Sequence, residues 1–166
     1  MPHRRVLTFS SFVLSTISPE SRQVAPSIPL GIAAQSLAVA RSAVWALGSG
    51  PNDEFLTLER IDPTFGTVSP VRRLPTVVTG DVGSLSARGN TLLVAPRSGL
   101  LTRVDARSGR TLGQLDPNAA PSAAALGFGS SWLAYREANL VVRVDSSGAI
   151  TTIPVGREPS AIAVGK

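Results

Sequence analysis

The sequence predicts an all-β protein made of repeated sheets, each with four short antiparallel strands. Short apolar segments alternate with turn residues along the whole chain, and the 15 glycines and 13 prolines are scattered rather than clustered. This pattern is typical of many short strands joined by tight turns. Several residues also recur with a period of about 40, the length of one β-propeller blade. A four-stranded sheet with two apolar faces needs a neighbour on each side, and radial stacking around a channel provides both.

Four sets of residues recur at a fixed position of the repeat unit. They are Asp62, Asp105 and Asp145; Gly66, Gly109 and Gly148; Trp45, Leu93 and Trp132; and Ser36, Ser84, Ser122 and Ser160. The aspartates lie 43 and 40 residues apart, and the serines lie 48, 38 and 38 residues apart. The longer first step of the serines contains the segment GSGPNDEF at 48–55, which is the one visible insertion.

The repeat divides the chain into three full blades flanked by partial blades. The full blades are 31–75, 76–116 and 117–155, with a partial blade at 12–30 and the first strand of a further blade at 156–166. This arrangement fits a closed four-bladed ring or, as we favour, an incomplete propeller or a fragment of a longer one. An open arc exposes strand edges and apolar blade faces, and it therefore predicts self-association.

Residues 1–11 are interpreted as an N-terminal extension or a weak signal-like segment. Arg4 and Arg5 give a positive start, but serine and threonine interrupt the apolar run that follows. No run of about 18 apolar residues occurs in the sequence, so no membrane-spanning helix is expected. The chain has no cysteine, which excludes disulfides and zinc–thiolate sites and fits either redox compartment.

The recurring residues are interpreted as structural. The tryptophans are expected to fill the wedge between blades, since recurrence at one register favours core packing over a platform for ligand stacking. Each aspartate ends a third strand before a glycine-containing turn, where a carboxylate accepts hydrogen bonds from turn amides. Arg60, Arg103 and Arg143 precede the aspartates by two residues and so share their strand face, where each arginine–aspartate pair is expected to join neighbouring turns. The alternative is a ring of arginines or aspartates aimed at an anion or a metal.

The sequence predicts no catalytic, cofactor-binding or metal-binding residue. The single histidine, His3, lies outside the repeats, which excludes a Ser-His-Asp triad within them. A G-x-S-x-G nucleophile elbow and a phosphate-binding loop are also missing. Several carboxylates fall in predicted loops, where solvated charges are commoner than cation sites: Asp53, Glu54, Asp81, Glu137 and Glu158. The chain is therefore expected not to be an enzyme.

Four segments carry a resemblance to a known family. PSAIAVG, SAVWAL, RIDPTFG and TTIPVG resemble the YVTN-type β-propeller repeats of bacterial and archaeal proteins, which are related in shape to NHL repeats. The resemblance covers residues 17–166 and implies a surface or exported binding module, hence an extracytoplasmic location. A lyase of similar shape uses histidine and glutamate beside a magnesium ion. The single histidine of this chain, His3, lies outside the repeats.

These observations predict a non-catalytic propeller that binds a protein or a small ligand at its loop face, using the insertion at 48–55. The net charge of +5, from 15 arginines and one lysine, supports an alternative function as a DNA-binding propeller. Nucleic acid is not favoured as the partner, because the arginines are spread along the chain with only two adjacent pairs, Arg4–Arg5 and Arg72–Arg73. A lyase-like propeller enzyme is a more distant alternative.

Overall fold

The computed structural model describes residues 6–10, 12–50, 55–69, 72–77, 83–116 and 119–165. Within these residues the regular elements are all strands, arranged in four antiparallel sheets. The prediction of an all-β fold built from short antiparallel sheets is confirmed, with four strands in two of the sheets, three in the first and five in the second. The described part of the chain holds no helix long and apolar enough to cross a membrane.

The four sheets follow one another along the chain, and neighbouring strands are mostly joined by tight turns. Sheet A contains β1 (Val6–Ser10), β2 (Val13–Ile17) and β3 (Ile28–Pro29). Sheet B contains β4 (Ala33–Ala40), β5 (Ala43–Ser49), β6 (Phe55–Asp62), β7 (Thr67–Val68) and β8 (Arg72–Val77). Sheet C contains β9 (Ser84–Arg88), β10 (Thr91–Ala95), β11 (Leu101–Asp105) and β12 (Thr111–Leu115). Sheet D contains β13 (Ala123–Gly127), β14 (Ser130–Tyr135), β15 (Leu140–Val144) and β16 (Ile150–Pro154).

The two ends of the described chain add detail to the repeat. Sheet A begins at Val6, inside the segment 1–11 that the sequence pattern sets apart from the repeats, and β1 pairs with β2 along its whole length. Residues 155–165 form no assigned strand. They nevertheless lie against sheet D, because a side chain at Gly127 would collide with Val164.

The strand register confirms that the recurring residues occupy equivalent positions. Trp45 lies opposite Arg60, Leu93 lies opposite Arg103, and Trp132 lies opposite Arg143. Because directly paired residues of neighbouring strands project to the same face of a sheet, each pair shares one face. In sheets B and C this face is turned toward the next sheet along the chain.

Apolar clusters fill the gaps between successive sheets. Leu14 and Ile28 of sheet A pack with Val44 and Ile61 of sheet B. Between sheets B and C the cluster contains 12 buried residues, Trp45 among them. Among the described residues, the cluster between sheets C and D contains six buried residues and five that are partly exposed. The C–D gap is therefore the most loosely filled of the three.

The predicted core role of the recurring tryptophans is confirmed for Trp45, which is only 4% exposed. Leu93 takes the same position in sheet C and is buried as well. Trp132 is half-buried. Its indole Nε1 donates to the carbonyl of Gly127 at 3.0 Å, and the guanidinium of Arg143 lies 5.8 Å from its ring centroid.

The recurring aspartates organise the turns after the third strands, as predicted. Asp62 Oδ1 accepts hydrogen bonds from two backbone N–H groups of its turn, at 2.9 and 3.3 Å. Asp105 Oδ1 accepts from the N–H and the hydroxyl of Ser108, both at 2.7 Å. Asp145 Oδ1 accepts from the N–H and the hydroxyl of Ser147, at 2.8 and 2.7 Å. These bonds, led by those from the serine hydroxyls, hold the pKa of Asp105 and of Asp145 below its usual value.

The recurring glycines close the same turns. Gly66, Gly109 and Gly148 have φ angles of 65°, 69° and 88°, in a region that side chains disfavour. The expectation that arginine–aspartate pairs join neighbouring turns is wrong for the described residues. No ion pair joins Arg103 to Asp105 or Arg143 to Asp145 there, and the carboxylates bind donors of their own turns, although the charge of Arg143 contributes to lowering the pKa of Asp145.

A buried carboxylate that was not predicted from the sequence holds the connection between sheets A and B against β6. Glu59 of β6 is only 1% exposed, and its two oxygens accept the N–H of Gly31 at 2.9 and 3.2 Å. The pKa of Glu59 is raised because burial disfavours the charged form, and the hydrogen bond from Gly31 opposes part of the rise. Strand alternation was the available signal, since Glu59 shares a face with the core residue Ile61.

The two tryptophans are expected to differ in their effect on stability. Trp45→Ala should lower the free energy of unfolding by about 3–5 kcal/mol, because it opens a cavity in a filled gap. Trp132→Ala should cost about 1–2 kcal/mol, because only part of its ring leaves water on folding. Urea unfolding of the two variants measures the difference, and equal losses would contradict the placement of Trp132 on a partly covered face.

Glu59→Gln is expected to raise stability at neutral pH. The raised pKa of Glu59 means that the folded state holds a proton that the unfolded state releases above about pH 4.3. The parent protein therefore loses stability as the pH rises from that value through the folded-state pKa. The glutamine side chain does not titrate, so the variant does not show this loss. Thermal melts between pH 4 and pH 8 test this, with Glu137→Gln in an exposed turn as the control. An unchanged pH profile in the Glu59 variant would refute the prediction.

Asp145→Asn is expected to show the opposite pH dependence. The lowered pKa of Asp145 stabilises the fold above the unfolded value of about 3.9, and this stabilisation disappears as the pH falls through the folded-state pKa. The variant should thus be less stable than the parent at pH 7, and the gap should narrow in acid. Urea midpoints of the parent and the variant, at pH 7 and in acid, measure this difference in stability. A difference that stays constant with pH would argue against the carboxylate's role in the turn.

Candidate functional site

Several residues that the sequence-based hypotheses name lie outside the described residues. They are His3, Arg4, Arg5, Asp53, Glu54 and Asp81, together with the centre of the insertion at 51–54. The ends of that insertion are described, and they place it between β5 and β6. Glu137 lies in the turn between β14 and β15, and Glu158 lies in the bend that follows β16. The structure therefore brings two of the five predicted loop carboxylates to the same region of the fold.

A cavity lies at this end of sheets C and D. It has a volume of about 600 Å³, and its polar lining comes from Arg97, Ser122, Tyr135, Arg136, Glu137 and Ser160. Arg97 belongs to the connection between β10 and β11, and Arg136 and Glu137 belong to the equivalent turn of sheet D. In sheet B the same connection is made by the insertion, whose described ends at Gly50 and Phe55 lie at the same end of the sheets. We call this end the loop face.

Hydrogen bonds fix the chain that borders the cavity. Ser122 Oγ lies 2.6 Å from the carbonyl oxygen of Pro159 and 3.0 Å from that of Ala134. Asn139 Oδ1 accepts the N–H of Glu158 at 2.8 Å. Asn139 and Glu158 have φ angles of 56° and 50°, a left-handed conformation that is uncommon outside glycine. The turn 136–139 and the segment after β16 are thus held together as one wall.

The charge balance of the cavity lining is positive. Arg97 and Arg136 contribute two cations, and Glu137 contributes one carboxylate. Arg136 Nη2 also lies 3.8 Å from Glu158 Oε2, in an exposed ion pair that solvent weakens. A basic lining with small hydroxyl groups and one aromatic ring suits a carboxylate-bearing ligand.

The recurring arginines are not aimed at one common point. Arg143 stays within sheet D, where its Nε donates to Ser130 Oγ at 2.9 Å and its guanidinium covers Trp132. Arg103 projects into the gap between sheets C and D, and its Nε is buried without a hydrogen-bond partner. The alternative of a ring of arginines around one anion is wrong for these residues. Among the described residues, no group of three or more His, Cys, Asp and Glu side chains is placed to hold a metal ion.

Comparisons with known proteins support the fold. The sequence matches no protein-family model and no curated protein sequence. In structure the chain is similar to hydrazine synthase of Kuenenia stuttgartiensis, with a TM-score of 0.76 at 12% identity over 95% of this chain and 60% of that one. It is also similar to virginiamycin B lyase of Staphylococcus aureus, with a TM-score of 0.69 at 17% identity over 97% of this chain and 60% of the lyase. BamB of Moraxella catarrhalis gives a TM-score of 0.71 at 12% identity over 97% of this chain and 49% of that one.

These similarities correct the expectation that the chain is not an enzyme. Two of the three structures are enzymes, a synthase and a lyase, so the propeller fold is not an argument against catalysis. Identities of 12–17% show the fold alone. This chain spans 60% or less of the length of each of the three proteins. The comparisons therefore show that the fold of this chain is similar to that of β-propeller proteins.

Proposed function

We propose that the chain is a YVTN-type β-propeller repeat protein whose loop face binds an acidic segment of a partner protein. The observation that carries this proposal is the cavity of about 600 Å³ on the loop face, with Arg97 and Arg136 in its lining. Its size lies within the range of pockets that hold a compact ligand or a short peptide segment. The repeat motifs RIDPTFG and TTIPVG support the family assignment.

The arginine pair favours a carboxylate-bearing partner. A guanidinium presents several N–H donors in a fixed plane and matches the two oxygens of a carboxylate. Arg97 comes from sheet C and Arg136 from sheet D, so two carboxylates of one peptide would each meet a separate guanidinium. The side chain of Tyr135 and the alanines at 119–120 and 138 add apolar surface between them.

Binding of two matched peptides tests this function. The first alternates glutamate and leucine, and the second alternates glutamine and leucine, so that only the charge differs. The glutamate peptide is expected to bind the parent protein about tenfold more tightly than the glutamine peptide. Arg97→Glu combined with Arg136→Glu should abolish this preference. Arg107→Glu combined with Arg110→Glu is the matched control, because it makes the same charge change in the exposed turn at the opposite end of sheet C.

Two outcomes would contradict the proposal: equal binding of both peptides by the parent, or an unchanged preference in the double variant. The same assay with short duplex DNA addresses the alternative partner. Binding to DNA through phosphates weakens with salt, with a slope of about −0.9 per phosphate contacted. Tight and salt-dependent DNA binding without a preference for the glutamate peptide would replace the proposed function by a DNA-binding one.

A further inference from the structure

The gap between sheets C and D contains two adjoining cavities. The first shares no described lining residue with the loop-face pocket, and the second borders that pocket through Tyr135 and Ala138. The first has a volume of about 240 Å³ and the second about 260 Å³, and they share Leu115, Leu133 and Val144 as walls. At about 30 Å³ per molecule, the first alone has room for about eight waters. Both cavities open to solvent, since Gly113 and Gln114 of β12 and Ile150 of β16 are exposed.

Two small residues in sheet C create the first cavity. Leu93 occupies the position that tryptophan fills in sheets B and D, and both Leu93 and Gly113 of β12 line the cavity. Gly113 lies opposite Arg103, where sheet D has Thr151 opposite Arg143. A Cβ added at Gly113 would have no atom within 4 Å. Sheet C therefore has a smaller residue than sheet D at two positions of the repeat, and these two positions leave the space.

Arg103 brings a charge into this space without a partner for one of its donors. Its Nε is buried and makes no hydrogen bond, whereas Nε of the equivalent Arg143 donates to Ser130 at 2.9 Å. Because this Nε is covered by protein atoms, contact with a ligand falls to the rest of the Arg103 side chain, which is the one cation among the described lining residues of the first cavity. Asp145 also lines the cavity, but its Oδ1 is already used by three donors of its own turn.

The remaining walls select the kind of acceptor. Leu101 and the three shared wall residues are aliphatic, and the second cavity continues with Leu140, Val142 and Ile150. An inorganic anion would use only the polar part of the first cavity, beside Arg103, Ser131 and Ser147, and would leave the aliphatic walls and the second cavity unfilled. The carboxylate of Asp145 disfavours a second negative charge in the same space unless that charge is held by Arg103.

We propose that the gap between sheets C and D binds a monocarboxylic acid with an aliphatic chain. The carboxylate accepts hydrogen bonds from Arg103, and the chain lies along Leu93, Leu101 and Leu133 toward the second cavity. Arg103 is the specificity-determining residue of this site, and it takes no part in the loop-face pocket.

Calorimetry with the full chain tests the site, using octanoate as the probe and octanol as its uncharged counterpart. Octanoate is expected to bind about tenfold more tightly than octanol and to raise the melting temperature. Arg103→Gln should remove this advantage while leaving octanol binding unchanged. Arg143→Gln is the matched control, because it removes the equivalent arginine of sheet D, and it should keep the advantage.

A second variant separates the cavity from the charge. Leu93→Trp introduces the residue found at this position in sheets B and D, and it should block both probes while Arg103 is retained. If that variant does not fold, Gly113→Val fills the same space from β12, where a side chain has room. Equal affinity of the parent for octanoate and octanol, undiminished octanoate binding by Arg103→Gln, or no binding of either probe would overturn the proposal. The last result would mean that the cavity holds water alone.

Discussion

The structure depends on the packing of each sheet against its neighbours through two apolar faces. A single four-stranded sheet of this sequence cannot bury both faces by itself, so its stability comes from the sheets on either side. Trp45 shows the constraint most clearly, because it belongs to sheet B but is buried against Leu85 and Leu92 of sheet C. The short strands, the tight turns and the constant repeat period are consistent with this packing, because equivalent strands of successive sheets have to meet in the gap between them.

The turns meet this requirement with a small set of residues. An aspartate at the end of the third strand gathers N–H donors, and a glycine with positive φ reverses the chain within the same turn. The glycine follows Asp62 and Asp105 by four residues but Asp145 by only three. The turn of sheet D is therefore one residue shorter, and this explains why the glycine spacing falls by one there while the role of the aspartate is kept.

The sequence was sufficient to predict features that repeat, and insufficient for features that depend on contacts between sheets. The strand register, the role of Asp105 and the burial of Trp45 follow from periodicity and turn chemistry, which are local. Glu59 was missed because its partner, Gly31, lies in another part of the fold and carries no sequence signal. The half-buried state of Trp132 depends on what covers sheet D, and periodicity treats it as identical to Trp45.

Repetition makes departures from the repeat informative about function. Residues that keep the gaps filled are constrained in every sheet, so a position where one sheet differs is a place where the structural requirement has been relaxed. Sheet C differs from sheet D at Leu93 and Gly113, which lie on the same face, and it keeps the arginine between them. Random loss of packing would not be expected to open space around a charged group, because an unpaired guanidinium is unfavourable there. The combination of a retained cation and two reduced neighbours is what a binding site between sheets requires, and the fold tolerates it because the A–B and B–C gaps remain well packed.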